Sequence, residues 1–331
     1  YEVAAVYDSG AVRSAPFPML STFNGNLVKN SGFEENSDSH WDKWFTGELD
    51  WTNMVAVTEP HRGAKSMKVT LNNTGSGGSI AQNGQYGTPD SYIPVTAGTL
   101  YSFGGFFRSA GLSEPTEHWI EWSSAVTGEN TNARPSRPYP SYFTPRFKPG
   151  TAPTDWTYAN RTFVMPAGFP NIELTHWFTA AAPASGSIYL DDVFFRALPP
   201  LDSPNWTTLI PFGSTWKYSF SLPALNWFFE HFNDALWPTG IAKFGAGSGP
   251  QGIVTYLPPA SAAYRFRRTF ILPQQPCEEL LLAATCTDEG LPLEIWLNGT
   301  KLLTTGIEST TGQGNSVQYF DLAPFLHLLK P

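Results

Sequence analysis

Apolar and polar residues alternate along many short stretches of this chain, and these stretches are rich in β-branched and aromatic residues. A period of two is typical of strands that bury one face, and no long stretch has the spacing of an amphipathic helix. The segments between them are rich in Gly, Pro, Asn and Ser, which favour turns. The pattern therefore predicts an all-β protein built from β-sandwiches.

Residues 22–197 contain eight predicted strands, a number that suits a jelly-roll sandwich. They are NLVKN, SMKVTL, GSIAQ, TLYSFGGFFRS, EHWIEWSS, WTYANRTFVM, NIELTHWFT and SIYLDDVFF. The last of them places Asp191 and Asp192 side by side in a strand that should be half buried.

The Pro-rich segment LPPLDSPNW predicts a domain boundary. Residues 205–331 then form a second sandwich. Residues 1–20 form an N-terminal strand and linker, and YEVAAVYDSGAVRS resembles the last strand of a fibronectin type III domain. The alternative is a simple strand that pairs with one of the two sandwiches.

The first sandwich resembles the carbohydrate-binding modules of families 4, 9 and 22. The segments that carry the resemblance occur in family order: NLVKNSGFEE, HRGAKSMKVT, TLYSFGGFFRSAG, a Trp-Thr strand ending in FVMP, and GSIYLDDVFF. The resemblance implies non-catalytic binding of a polysaccharide or oligosaccharide in a secreted or cell-surface multimodular protein.

The resemblance also implies a structural calcium ion. Glu34 and Asp191 would supply carboxylates and the backbone near Lys65 a carbonyl, since calcium takes six to eight oxygen ligands. Strand alternation would point Asp192 to the opposite face. The alternative is that both aspartates only cap a turn.

The predicted sugar-binding face follows from strand alternation. Tyr101, Phe103 and Phe107 share one face of their strand, and the same reasoning assigns Ile172, Leu174 and Phe178 to the core. The opposite, non-core positions are Phe106, Arg108, Trp119, Glu121, Glu173 and Trp177. Aromatic rings stack on sugar rings, and charged groups bind hydroxyls. The alternative is that these aromatics pack beneath the long Pro-rich loop 130–153.

The second sandwich resembles galactose-binding-like domains attached to secreted bacterial glycan-degrading proteins. LIPFGSTWKYSF, FNDALWPTGIAKFGAG, AYRFRRTFILP and TDEGLPLEIWLNGTKL carry the resemblance. Asn298 and Gly299 predict a two-residue hairpin, because both tolerate positive φ. Relatives continue into a further closing strand, so the sandwich is either truncated here or completed by a partner strand.

Composition narrows the class of partner. The net charge of −8 at pH 7 disfavours nucleic acid or an anionic membrane. No apolar run approaches the roughly 20 residues of a membrane-spanning helix. Neutral or cationic ligands fit better.

No motif in the sequence indicates catalysis. Glu117 and Glu121 lie four apart on a strand, which separates them by about 13 Å, more than glycosidases use. The chain has no HExxH spacing and no G-x-S-x-G elbow. We therefore expect no enzyme activity. The alternative to glycan binding is a structural subunit that assembles with identical copies by strand exchange into a filament or surface layer.

Overall fold

The computed structural model describes residues 2–6, 25–35, 41–45, 54–72, 76–82, 92–113, 116–124, 154–180, 184–220, 226–246, 253–258, 263–273, 277–284, 292–306 and 317–329. These residues form strands and loops with one short 3-10 helix, Ala323–Leu328, which confirms the predicted all-β class. No helix in the described part of the chain is long and apolar enough to cross a membrane.

The described residues contain twenty strands. The first eleven are β1 Glu2–Val6, β2 Asp42–Phe45, β3 Met54–Val57, β4 Ser66–Asn72, β5 Ser76–Gln82, β6 Ile93–Pro94, β7 Leu100–Ala110, β8 Thr116–Ser124, β9 Thr157–Val164, β10 Asn171–Ala180 and β11 Ser185–Leu198. The remaining nine are β12 Thr215–Ser219, β13 Thr239–Ile241, β14 Phe244–Ala246, β15 Thr255–Leu257, β16 Arg265–Thr269, β17 Leu281–Ala284, β18 Pro292–Leu297, β19 Thr300–Gly306 and β20 Gln318–Asp321.

Two sheets enclose the core of the first sandwich. The seven-stranded sheet has the order β17-β20-β9-β7-β11-β4-β3, and the five-stranded sheet has the order β2-β5-β10-β6 with β8 paired to β10. Residues of β7 and β10 that the sequence assigned to the core are buried between them: Tyr101, Phe103, Phe107, Ile172, Leu174 and Phe178. Strand alternation therefore identified the buried face of both strands.

The predicted strand NLVKN is wrong. Residues 26–28 have no regular structure and residues 29–32 form turns. Asn30 and Phe33 have φ values of 46° and 56°, which an extended strand does not allow. The Asn30 carbonyl accepts hydrogen bonds from the Phe33 amide and the Trp41 indole, so the turn is held in place.

The N-terminal strand β1 lies inside the sheet of the second sandwich. That six-stranded sheet has the order β13-β12-β16-β1-β18-β19. Asn298 and Gly299 connect β18 to β19 with φ values of 49° and 89°, as the hairpin prediction requires. Because β1 pairs within its own chain, one premise of the filament hypothesis, a strand without a sheet, does not apply here.

The C-terminal strands also join the first sandwich. β20 pairs with β9, where Tyr319 lies opposite Thr162, and β17 pairs with β20. A second hydrophobic core forms on this side of the seven-stranded sheet. It combines Phe106, Tyr158 and Phe194 of the first sandwich with residues of the C-terminal region, among them Phe270, Ile295, Leu297, Phe320 and Phe325.

A buried ion cluster ties this shared core together. The Arg196 side chain is 1% exposed, and its Nε donates to Asp321 Oδ2 at 2.7 Å. Its Nη1 and Nη2 donate to the two oxygens of Glu279 at 2.9 and 2.6 Å. Such charges are favourable when buried only if they are fully paired, so the C-terminal region must be in place for Arg196 to be satisfied.

Candidate functional site

A β-bulge in β11 sets the position of the two aspartates. Pairing between β11 and β7 shifts register between Asp191 and Phe194, and Asp192 has a φ of 46°. A bulge re-aims the side chains at its position. As a result, Asp191 is fully buried while Asp192 is partly exposed.

The loop 61–65 binds both Asp191 and Glu34 through backbone amides. Asp191 Oδ2 accepts hydrogen bonds from the amides of His61 and Arg62 at 2.7 and 3.2 Å. Glu34 Oε1 accepts from the amides of Ala64 and Lys65 at 2.8 and 3.1 Å. The three residues predicted for the calcium site, Glu34, Lys65 and Asp191, therefore meet at one loop.

A glycine is required where Glu34 enters this loop. Gly63 has a φ of +68°, and a Cβ at this position would lie 2.0 Å from Glu34 Oε1. Only glycine combines that backbone conformation with such a close approach. The sequence HRGAKS thus forms a tight turn around the Glu34 carboxylate.

Asp192 points to the same loop as Asp191, which corrects the expectation that it faces the opposite side. Its Oδ2 lies 2.7 Å from His61 Nδ1. A Cβ on Gly32 would lie 3.6 Å from Asp191 Oδ1 and 3.8 Å from Asp192 Oδ1. The cause is the bulge with positive φ at Asp192, which breaks the alternation of a regular strand. Sequence reasoning missed His61, although HRGAKS had marked the segment.

The surroundings of Asp191 disfavour ionisation of its carboxyl group. Burial, and to a lesser extent the nearby Asp192 carboxylate, raise the pKa of Asp191 to about 8, although backbone hydrogen bonds partly oppose both effects. A buried carboxylate in this state is stabilised by a cation. The all-oxygen donor set suits calcium. Among the described residues, however, no three acidic, His or Cys side chains cluster to hold a metal, so carbonyls and water would have to complete the shell.

The five-stranded sheet brings four of the predicted sugar-binding positions together. In the pairing of β10 with β8, Trp177 lies directly opposite Trp119, Thr175 opposite Glu121, and Glu173 opposite Ser123. Since His118, Ile120 and His176 are buried in the sandwich, alternation places positions 119, 121, 173 and 177 on the face away from the core. We call these four positions the tryptophan face. Thr175 lies between them; it is 1% exposed although it is on this face, and its hydroxyl donates a hydrogen bond to Glu173 Oε1 at 3.0 Å.

Phe106 and Arg108 lie elsewhere, on the outer face of the seven-stranded sheet. Phe106 is 5% exposed and stacks on His61 with ring centroids 3.6 Å apart. Arg108 Nη2 donates to Glu59 at 2.5 Å, and the guanidinium lies 4.1 Å from the ring centroid of Tyr189. The six predicted residues thus occupy two faces of two sheets and do not form one cleft.

The chain resembles solved carbohydrate-binding modules in structure. A family 61 module in complex with β-1,4-galactotriose shares 16% identity, covers 52% of this chain and 99% of its own, and has a TM-score of 0.36. A family 16 module shares 18% identity over 51% of this chain and 99% of its own, with a TM-score of 0.33. The CBM22-1 xylan-binding domain of Paenibacillus barcinonensis Xyn10C shares 13% identity over 51% of this chain and 93% of its own, with a TM-score of 0.33.

Parts of enzymes and of a phage tailspike also resemble the chain. An arabinose-bound α-L-arabinofuranosidase shares 15% identity over 61% of this chain and 30% of its own, with a TM-score of 0.38. No protein family description and no curated protein sequence matches the chain.

Proposed function

We propose that this chain binds polysaccharide without catalysis, through the tryptophan face of its five-stranded sheet. The observation that supports this is the register of β8 and β10, which sets Trp119 directly opposite Trp177. Residues directly opposite on antiparallel strands have Cβ atoms about 4.5–5.5 Å apart, so two indoles at these positions can form one continuous platform. Sugar rings stack on such aromatic surfaces.

The acidic positions on the same face as the tryptophans suit sugar hydroxyls. Glu121 lies two residues along β8 from Trp119, and Glu173 lies four residues along β10 from Trp177. Ionised carboxylates accept strong hydrogen bonds from hydroxyl groups. The proposed ligand is therefore a neutral glycan whose ring faces stack and whose hydroxyls reach the carboxylates.

Affinity electrophoresis against soluble β-glucans, xylans and algal polysaccharides tests the proposal. We expect at least one glycan to retard the chain, and Trp119→Ala or Trp177→Ala to abolish the retardation. Phe212→Ala is the matched control, because Phe212 is 71% exposed and lies outside the tryptophan face. Retardation that survives the tryptophan substitutions as it survives the control would contradict the proposed site. Release of reducing sugar from the retarding glycan would contradict the non-catalytic role.

We propose in addition that calcium binds at Asp191, Glu34 and the Lys65 carbonyl and joins the first and last segments of the sandwich. Calcium would supply the positive charge that the buried Asp191 lacks. We expect calcium to raise the melting temperature of the chelator-treated chain and Asp191→Asn to remove this increase. Asp202→Asn, in an exposed turn, should retain it. An increase that persists in Asp191→Asn would exclude this site.

The secreted location and the multimodular parent protein stay predictions from the family resemblance. They are separable from glycan binding, because the electrophoresis uses the purified chain alone.

A further inference from the structure

The strand directions in the six-stranded sheet follow a regular rule with one departure. β12 pairs antiparallel with both β13 and β16, and β18 pairs antiparallel with β19. β1 instead runs parallel to both of its neighbours, β16 and β18. β16 and β18 therefore point the same way, one strand apart.

In a fully antiparallel sheet, strands two places apart always run in the same direction. The five strands other than β1 already have the directions of such a sheet, with one position left for a strand that runs opposite to β16 and β18. β1 fills this position but runs parallel to β16 and β18, opposite to the direction that a fully antiparallel sheet would have there. Parallel pairing is also slightly less stable per residue than antiparallel pairing.

The position between β16 and β18 is covered on both faces of the sheet. Ile295 and Leu297 on β18 are buried in the core shared with the first sandwich. Trp296, between them, packs with Trp227 and Phe228 on the opposite side. A strand buried on both faces needs apolar residues at consecutive positions rather than at alternate ones. The segment EVAAV of β1 has this composition.

We propose that the position between β16 and β18 is an acceptor site for an extended apolar strand of a second polypeptide, which binds antiparallel to both neighbours and displaces β1. The main chain would supply most of the affinity, as in other cases where a peptide adds a strand to a sheet. Consecutive apolar or small residues would supply the selectivity. This site is independent of the tryptophan face and of the proposed glycan.

Strand direction can be read from a disulfide, because the two directions bring different residues together. In β1, Ala5 lies opposite Arg268 and Ala4 opposite Arg267. If a strand of the same sequence runs the other way with its fourth residue still opposite Arg267, its third residue lies opposite Arg268. Adjacent strands are close enough for a disulfide in both directions.

The experiment uses the full chain with Ala4→Pro, Arg268→Cys, Cys277→Ser and Cys286→Ser. Proline at position 4 removes a backbone donor and disfavours β1 inside the sheet. The probes are two synthetic peptides of sequence YEVAAVYDSG, one with cysteine at its third position and one at its fifth. The mixed disulfides formed in a glutathione buffer are measured by mass spectrometry.

We expect the third-position peptide to form about tenfold more mixed disulfide than the fifth-position peptide, a difference of about 1.4 kcal/mol. Excess of the fifth-position peptide would overturn the proposed direction. A peptide with proline at its fourth position gives the background yield. If the third-position and fifth-position peptides form equal amounts of mixed disulfide, no greater than this background, the acceptor site itself would be overturned.

A second variant covers the case in which Ala4→Pro does not fold, as judged by near-ultraviolet circular dichroism. The same chain with Ala4 retained keeps β1, so the peptide must displace it. The same preference for the third-position peptide is expected, at a higher peptide concentration. Absence of any preference in this folded chain would also overturn the proposal.

Discussion

On the outer face of the seven-stranded sheet, Phe106 packs into a core that the C-terminal region completes, and Arg108 binds Glu59. On the outer face of the five-stranded sheet, Trp119 and Trp177 lie opposite each other in the register of β8 and β10. The sequence pattern of the two faces is the same, with aromatic and charged residues at alternate positions. One face serves internal packing, and we propose that the other binds a ligand.

Alternation therefore identifies a face of a strand but not the function of that face. The C-terminal region that covers the seven-stranded sheet lies far along the chain. The hydrogen bond from Arg196 to Asp321, for example, joins residues 125 positions apart. If the two faces differ as proposed, substitutions on one should lower stability and substitutions on the other should lower binding.

Removal of Asp321 should have the largest effect. Asp321→Ala leaves the buried Arg196 without one of its two carboxylate partners, and loss of one partner of a buried pair costs about 3–5 kcal/mol. Urea denaturation measures the change in the free energy of unfolding. Glu294→Ala is the control, because its pair with Lys301 is partly exposed and such pairs contribute less than about 1 kcal/mol. Equal losses in both variants would show that the C-terminal contact is not a buried junction.

Acid should weaken the core between the two sheets through His118 and His176. Burial lowers the pKa of His176 to about 3 and lowers that of His118 well below its ordinary value. Each remains neutral in the folded protein, while the unfolded chain binds protons below about pH 6.5. Their contribution to stability is therefore complete above pH 6.5 and is lost as the pH falls.

The variant His176→Leu isolates this effect from other titrating groups. As the pH falls from 6.5 to 4.5, the wild-type chain should lose about 2.3 kcal/mol relative to the variant, because the unfolded histidine is half protonated at pH 6.5 and the loss approaches about 1.4 kcal/mol per pH unit only below that. Urea denaturation at several pH values gives the difference. Ile172→Val on the same strand titrates nothing, so its difference from wild type should not change with pH. A constant difference for His176→Leu as well would contradict a neutral buried histidine.

Tyr158→Phe should have a smaller effect on the shared core. The Tyr158 hydroxyl donates a hydrogen bond to the Asp321 carbonyl at 2.9 Å. Its removal should cost about 0.5–1.5 kcal/mol, the usual net contribution of one hydrogen bond. Tyr218→Phe outside this core is the control in the same urea series. A loss in Tyr158→Phe no larger than that in the control would mean that this bond does not stabilise the junction.

The sequence predicted the parts of the structure that depend on neighbouring residues. The all-β class, the buried faces of β7 and β10 and the hairpin at Asn298 and Gly299 follow from local alternation and from backbone preferences. The loop that brings Glu34 and Asp191 together followed from a family resemblance.

The remaining features depend on contacts between distant segments. Alternation could not assign β7 to one sheet and β10 to the other, because pairing partners are chosen across the whole fold. It also could not show the bulge that turns Asp192 towards His61, or the partners of Arg196. A charged residue in a strand gives no sign that its partners lie far along the chain.

Trp177→Ala should have the smallest effect on stability and the clearest effect on binding. If the tryptophan face is open to a ligand, the substitution should change the free energy of unfolding by no more than about 0.5 kcal/mol, as is usual at a surface. The same variant should no longer be retarded by the glycan. If the aromatics instead pack beneath the loop 130–153, removal of a buried tryptophan should cost about 3–5 kcal/mol. Urea denaturation of this one variant therefore distinguishes a ligand platform from a covered core. A large loss of unfolding free energy would mean that the outer face of the five-stranded sheet serves internal packing, as the outer face of the seven-stranded sheet does.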